Sequence, residues 1–221
     1  MKPLESTERT RIRREPTRSV KDRAALYRII DEALIGHVGF LDKEQPFVIP
    51  TFVWRIEDSI YMHGSRGSRM LVVLASGAPA CVTFTLLDSL VMARSPFYHS
   101  ANYRSAVVLG KVQVIEESAA KLAVLEQFMD RIAPGRWSNL RESTQQEIDA
   151  TTVLTLPLDE ASVKVRAGDP GDGGSDLEVP VWSGQIPVRQ SFGPMIPAQN
   201  LLAGLDQPDY SAAYESRWRE Q

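Results

Sequence analysis

Tyr61-Met62-His63-Gly64-Ser65-Arg66-Gly67-Ser68-Arg69 carries the chain from one apolar run into another through two glycines, two serines and two arginines. Glycines let backbone N–H groups come close to an anion, serines add hydroxyl donors, and arginines add charge with a fork of donors. These are the parts of a phosphate site. A second stretch, His99-Ser100-Ala101-Asn102-Tyr103-Arg104-Ser105, sets an amide, a phenol, a guanidinium and a hydroxyl just before a long apolar strand pattern. That set can hydrogen-bond a planar ring with polar edges, or reinforce a phosphate. Everything else in the chain is read by asking whether it builds a pocket around these two stretches.

The 221 residues suit one domain with a sizeable core. A hydrophobic fraction of 43% and a charged fraction of 24% are those of an ordinary globular protein. The net charge of -3 gives no general basic field for nucleic acid. Cys81 is the only cysteine, so no internal disulfide can form, and its apolar neighbours make it a buried thiol. No apolar run is long enough to span a bilayer, and residues 1–18 lack the apolar core of a secretory signal. The expected location is the cytoplasm, with neither a membrane nor nucleic acid as partner. Residues 1–18 hold Arg9, Arg11, Arg13, Arg14 and Arg18 against Glu5, Glu8 and Glu15, and read as a basic arm, solvated or laid on the surface.

Outward from the opening stretch, short apolar runs punctuated by turn residues predict an antiparallel sheet. Strands are expected over 37–41, 46–56 and 59–63, with a hairpin turn at 42–45. Pro50 cannot donate to a ladder, so its strand belongs at an edge or at a bulge. A helix is predicted from Ser19, burying Leu26, Ile29, Ile30 and Ala33 and ending at Gly36. Residues 68–75 read as a short helix, 79–86 and 89–95 as a hairpin about Leu87-Asp88, and 104–116 as the longest strand. Ser118 is the expected cap of an amphipathic helix to Ile132, with Leu122, Leu125 and Met129 on its apolar face. Overlapping capping boxes at 143–147 start a second short helix, and strands return at 151–158 and 161–166. The sum is mainly β with flanking helices, a closed or nearly closed barrel.

The usual catalytic signatures are missing. There is no G-x-S-x-G elbow, no Walker A loop and no H-E-x-x-H, and His37, His63 and His99 lack metal-ligand spacing. The Gly/Asp loop at 169–176 lacks the closing glutamate of a calcium loop. No metal is expected, and no catalytic base can be named.

Taken together, the two stretches with Pro134-Gly135-Arg136-Trp137, Ser162-Val163-Lys164-Val165-Arg166-Ala167-Gly168-Asp169-Pro170 and Val181-Trp182-Ser183-Gly184-Gln185-Ile186-Pro187 make the chain recognisable. It resembles the flavin-nucleotide-binding branch of the pyridoxamine 5'-phosphate oxidase-like superfamily, which also includes nitroimidazole-resistance proteins. The resemblance runs to about Pro187. It implies a split β-barrel of the FMN-binding type over 19–190, following the arm of 1–18 and followed by an extended tail of 191–221. It also implies a homodimer with FMN in the groove between subunits. On that resemblance His63, Gly64, Ser65, Gly67, Ser68 and Arg69 would hold the FMN phosphate. Tyr103, Arg104 and Ser105 would approach the flavin or its ribityl chain, and Thr51 would line the same cleft. Lys164, Arg166 and Trp182 would reach the partner's site. The basic residues with which true pyridoxamine-phosphate oxidases grip their substrate's own phosphate are not found, so the vitamin B6 reaction is not expected. The expected function is an FMN-dependent oxidoreductase acting on a small molecule, with NAD(P)H as a conceivable donor. The alternative is a flavin- or haem-binding module that stores or senses its cofactor without turnover.

Overall fold

A computed structural model describes residues 2–210, 213 and 214; the rest of the expected tail lies outside the described residues. In chain order the elements are β1 (Ser19–Val20), α1 (Arg23–Glu32), β2 (Ile35–Asp42), β3 (Gln45–Phe52), β4 (Trp54–Ile56), β5 (Ser59–Ser65) and α2 (Arg69–Ala75). They continue with β6 (Pro79–Met92), β7 (Ser100–Lys111), β8 (Gln113–Ile115), α3 (Ser118–Ile132), α4 (Gln145–Ala150), β9 (Thr151–Pro157), β10 (Ala161–Arg166) and β11 (Gly184–Pro187).

The strands form two antiparallel sheets, the open form of the closed or nearly closed barrel that the strand pattern predicts. The larger runs β1-β10-β7-β6-β2-β3, with β11 also on β6, and the smaller runs β4-β5-β9-β8. The sheets are joined at two corners, where one residue each, Val53 and Val112, turns β3 into β4 and β7 into β8. Their inner faces meet in one core. The larger sheet brings Val38, Val82, Phe84, Ala106, Val108 and Val163, and the smaller brings Ile60, Met62, Leu154 and Leu156. The helix α1 packs against β4, β6, β7 and β10, and α2 against β2, β5 and β9, so each stops one end of the barrel. No described helix is long and apolar enough to cross a membrane.

Several boundaries differ from the sequence expectation for identifiable reasons. Ser19 and Val20 do not open α1; they pair with Lys164 and Val163 as an edge strand. Asp22 caps the helix instead, accepting from the Ala24 N–H. The predicted stripe of Leu26, Ile29, Ile30 and Ala33 is buried as expected. Gly36 does not end α1 but lies within β2, where a Cβ would come 2.7 Å from Val53 Cγ2. Pro50 is on β3, an end strand of its sheet, as its missing donor requires.

The predicted hairpin about Leu87-Asp88 is one continuous strand, β6. A bulge between Leu87 and Ser89 absorbs Asp88 and re-aims its carboxylate. Glu117, not Ser118, caps α3, accepting from Ala119 and Ala120 N–H. Of the two overlapping boxes, Thr144 with Glu147 is the one that forms. The N-terminal arm lies on the body of the domain. Leu4 is buried, Thr7 Oγ1 donates to Glu160 at 2.6 Å, and Arg9 pairs with the same carboxylate.

Candidate functional site

The opening stretch ends β5 and begins α2. Its own hydrogen bonding is largely internal. The Ser68 N–H donates to the Ser65 carbonyl at 2.9 Å, the Gly67 N–H to Ser65 Oγ at 3.4 Å, and the Arg66 N–H to the Ala150 carbonyl at 2.9 Å. The N–H groups of Arg66, Gly67 and Ser68 are therefore engaged, so that part of the turn meets a ligand through its side chains. Ser68 makes no side-chain capping bond. Arg69 lies over the Phe47 ring at 4.9 Å and 3.8 Å from the Asp42 carboxylate, too far for a hydrogen bond. A Cβ on Gly67 would meet nothing, which leaves an open approach, whereas a Cβ on Gly64 would come 3.1 Å from Leu71 Cδ1, so Gly64 serves packing.

His63 is separated from these groups. It sits on the outer face of the smaller sheet, with ring centroids 5.5 Å from Trp54 and 4.9 Å from Phe128 of α3. Its Nδ1 is buried without a hydrogen-bond partner, and burial pushes its pKa down, so the ring is neutral.

Alternation along β7 divides the second stretch. Tyr103 and Ser105 face outward. Across the larger sheet, Thr85, Ser105, Lys164 and Ser19 stand in one row, and Leu87, Tyr103 and Arg166 in the next. Arg104 faces the other way, to the end of the barrel that α1 stops. There Arg104 Nη2 donates to Glu32 Oε1 at 2.8 Å and to Asp88 Oδ1 at 2.8 Å. Both carboxylates push the guanidinium pKa further up. Arg104 lines a cleft of about 1060 Å³ with Asp31, Arg55, Asp130 and Arg131, in which Arg55 and Arg131 share the Asp31 carboxylate. Thr51 is also on the inward side of β3, opposite Gly36. The structure thus brings Tyr103, Ser105, Lys164 and Arg166 onto one face and places Arg104 and Thr51 elsewhere.

Asn102 is a clasp, 4% exposed. Its Nδ2 donates to Ser89 Oγ, the Gly168 carbonyl and Gln185 Oε1, and its Oδ1 accepts from Arg166. This ties β11 and the loop at 167–169 to the sheet and fixes where Arg166 stands. Trp182, exposed, lies on Gly184 at the start of β11. Thr85 was missed by the sequence reading, although Val82-Thr83-Phe84-Thr85-Leu86 alternates, and that alternation puts its threonines on the outer face.

The two stretches lie at opposite ends of the larger sheet. Arg69 is beside Asp42, the end at which Pro79 pairs with Lys111, whereas Tyr103 pairs with Leu87 at the other. The eight steps from Tyr103 to Lys111 span roughly 26 Å at strand rise. Within one chain these two stretches do not meet.

Comparison with known proteins follows the geometry closely. The flavocytochrome Anf3 from Azotobacter vinelandii is 36% identical, the match covering 96% of this chain and 99% of that one, with a TM-score of 0.91. The FAD and haem binding protein from Mycobacterium smegmatis is 35% identical over 89% of this chain and 97% of its own, at a TM-score of 0.85. A candidate 5-nitroimidazole antibiotic resistance protein from Bacteroides thetaiotaomicron is 25% identical over 66% of this chain and 86% of its own, at 0.57. No curated protein sequence matches. A family model described as pyridoxamine 5'-phosphate oxidase matches residues 22–165, which span both sheets and both stretches. With that match and two relatives above one-third identity along nearly their whole length, the chain is a member of the pyridoxamine 5'-phosphate oxidase family, on a split-barrel fold whose neighbours include flavin-binding proteins.

Proposed function

We propose that this chain is a flavin-dependent oxidoreductase that works as a homodimer. The flavin would lie across a groove between the turn at 64–69 of one subunit and the adjacent outward rows that carry Tyr103, Ser105 and Lys164 of the other. The observation that carries this reading is the separation of the two stretches by roughly 26 Å of sheet, which a two-fold partner can close and a single chain cannot. A second observation agrees with it. Ile35, Leu41, Val48, Phe52 and Leu87 stand exposed on the outer face of the larger sheet, an apolar surface suited to burial against a copy of itself.

The residues fit a flavin nucleotide. Ser68 and Arg69 offer an uncommitted hydroxyl and a weakly engaged guanidinium for a phosphate, and the outward row offers hydroxyls for a ribityl chain. FMN, expected from the sequence, and FAD, named for the Mycobacterium smegmatis relative, share these parts. When bound, the flavin supplies the redox chemistry, and the protein holds and orients it. The substrate would be a small molecule and the electron donor a nicotinamide in the cytoplasm. The test is titration of purified protein with FMN and FAD, followed by NADPH under anaerobic conditions. Uptake at micromolar flavin, with bleaching of the flavin band by NADPH, is expected. No uptake of either flavin overturns the reading.

A second reading, haem as an additional group, is favoured by one feature. Trp54 Nε1, His63 Nδ1 and Thr155 Oγ1, all buried and unpartnered, share the outer face of the smaller sheet beside α3. A neutral imidazole among aromatic rings is a suitable iron ligand, and two relatives at 35–36% identity are a flavocytochrome and a haem-binding protein. Titration with hemin should give a Soret band that His63→Ala abolishes. A band unchanged in that variant removes His63 from the reading.

A further inference from the structure

The basic arm is the feature that the proposed site leaves unused, and its position gives it a role. The arm is tied down along its length, and three of the ties bear on the site. Thr7 and Arg9 bind the Glu160 carboxylate, Ser19 and Val20 pair with β10, and Lys164 Nζ donates to the Arg14 carbonyl at 3.2 Å. Lys164 belongs to the outward row that carries Ser105, so the last bond lays the backbone of Arg14 against the outer face beside that row. The neighbouring outward row carries Arg166 and Tyr103.

Four cations of the arm and of β10 have no carboxylate partner among the described residues. Arg9, Arg13 and Arg18 pair with Glu160, Glu8 and Glu15, but Arg11 and Arg14, both exposed, form no ion pair. Lys164 bonds only the Arg14 carbonyl, and Arg166 bonds Asn102 and the carbonyls of Gly168 and Asp169. In a protein of net charge -3, these four are positive charges without an ion pair, and the Lys164–Arg14 bond ties the arm that carries two of them to the outer face. Nothing in the fold consumes that charge.

We infer that the arm forms an anion subsite for the second phosphate and adenylate of FAD, with Arg11 and Arg14 selecting the dinucleotide over FMN. This rests on the flavin reading above and extends it. In the two-subunit groove, the turn at 64–69 of one chain faces the Tyr103 end of the other, where this arm lies. A mononucleotide ends at the phosphate held by the turn. A dinucleotide carries a further phosphate and a base outward, and guanidinium groups on an extended arm are suited to meet that phosphate. Exposed cations of this kind act through a screened field, so the selection weakens as salt rises.

The test compares FAD and FMN affinities, by flavin fluorescence titration, in the full chain and in the double variant Arg11→Ala/Arg14→Ala. Both side chains are exposed and outside the core, so the variant should keep the melting temperature of the parent. The ratio of FAD to FMN affinity is expected to fall about tenfold in the variant, the loss of one to two charge-assisted contacts. It should also fall in the parent between low and high salt, and stay close to the parental value in Arg11→Lys/Arg14→Lys. An unchanged ratio in the alanine variant overturns the inference while leaving flavin binding intact, as does a parent that takes FMN but not FAD. A parent that takes neither flavin removes the underlying reading and the inference with it.

Discussion

Arg69 and Arg104 are chemically alike, yet their substitution to alanine should have opposite consequences. Arg69 is exposed and only 3.8 Å from Asp42, so Arg69→Ala should change stability by no more than about 0.5 kcal/mol. If the turn holds the flavin phosphate, the same change should cost about 1.5–3 kcal/mol of flavin affinity, tenfold or more. Arg104 is clamped by Glu32 and Asp88, and Glu32 is buried. Arg104→Ala should therefore destabilise the fold by about 2–4 kcal/mol, read by denaturant titration, because the buried Glu32 carboxylate loses the guanidinium that clamps it. His63 gives a residue-level pH dependence. Burial lowers its pKa in the folded state, so as pH falls through about 6.5 the unfolded chain takes up a proton that the folded one refuses. Stability should drop across that window and level off below the folded pKa. His63→Gln should flatten this part of the melting-temperature profile.

At the scale of elements, local chemistry was most legible where it is self-contained. The α4 helix is the clearest case. Thr144 accepts from the Glu147 N–H and Glu147 reaches back to the Thr144 N–H, while Arg141 above all, and then Thr144, hold the Glu147 pKa down to about 2. Thr144→Ala should lower stability by about 1 kcal/mol, measured as a fall in denaturation midpoint. The capping support from Glu147 should persist down to mildly acid pH and fade only as pH drops toward 2. The stripe on α1 and the edge position of Pro50 were equally readable, since each depends on a period or a missing donor. The start of α1 was not. Ser19-Val20-Lys21-Asp22 reads as a cap until β10, far along the chain, claims its first two residues. Likewise Leu87-Asp88 looks like a turn because a bulge and a turn use the same residue types, and only pairing with β7 tells them apart. For the candidate site, residue types were legible but sidedness was not. Tyr103-Arg104-Ser105 is one motif as text and two faces in space, and Thr51 and His63 each point away from the turn.

For the molecule as a whole, the proposed dimer makes the strongest demand. Val48 is 66% exposed on the outer face of an edge strand, so a lysine there costs the monomer little. Val48→Lys should nevertheless shift the mass in solution, measured by light scattering, from twice 24.6 kDa toward a single chain. Flavin affinity should fall with it, because each groove needs both subunits. A monomeric parent with full flavin affinity would rule this arrangement out.

The pairing of β1 with β10 has a consequence of another kind. Ser19 and Val20 emerge from the ribosome long before Lys164 and Val163 are made. Until then the arm has no edge to join, and Thr7 and Arg9 have no Glu160 to hold. Contacts so distant in sequence make folding slow, and the larger sheet cannot be completed during most of synthesis. The arm is translated well before β10 and is among the last parts to dock, so a nascent chain truncated before β10 should present residues 2–20 to a protease that the finished protein resists.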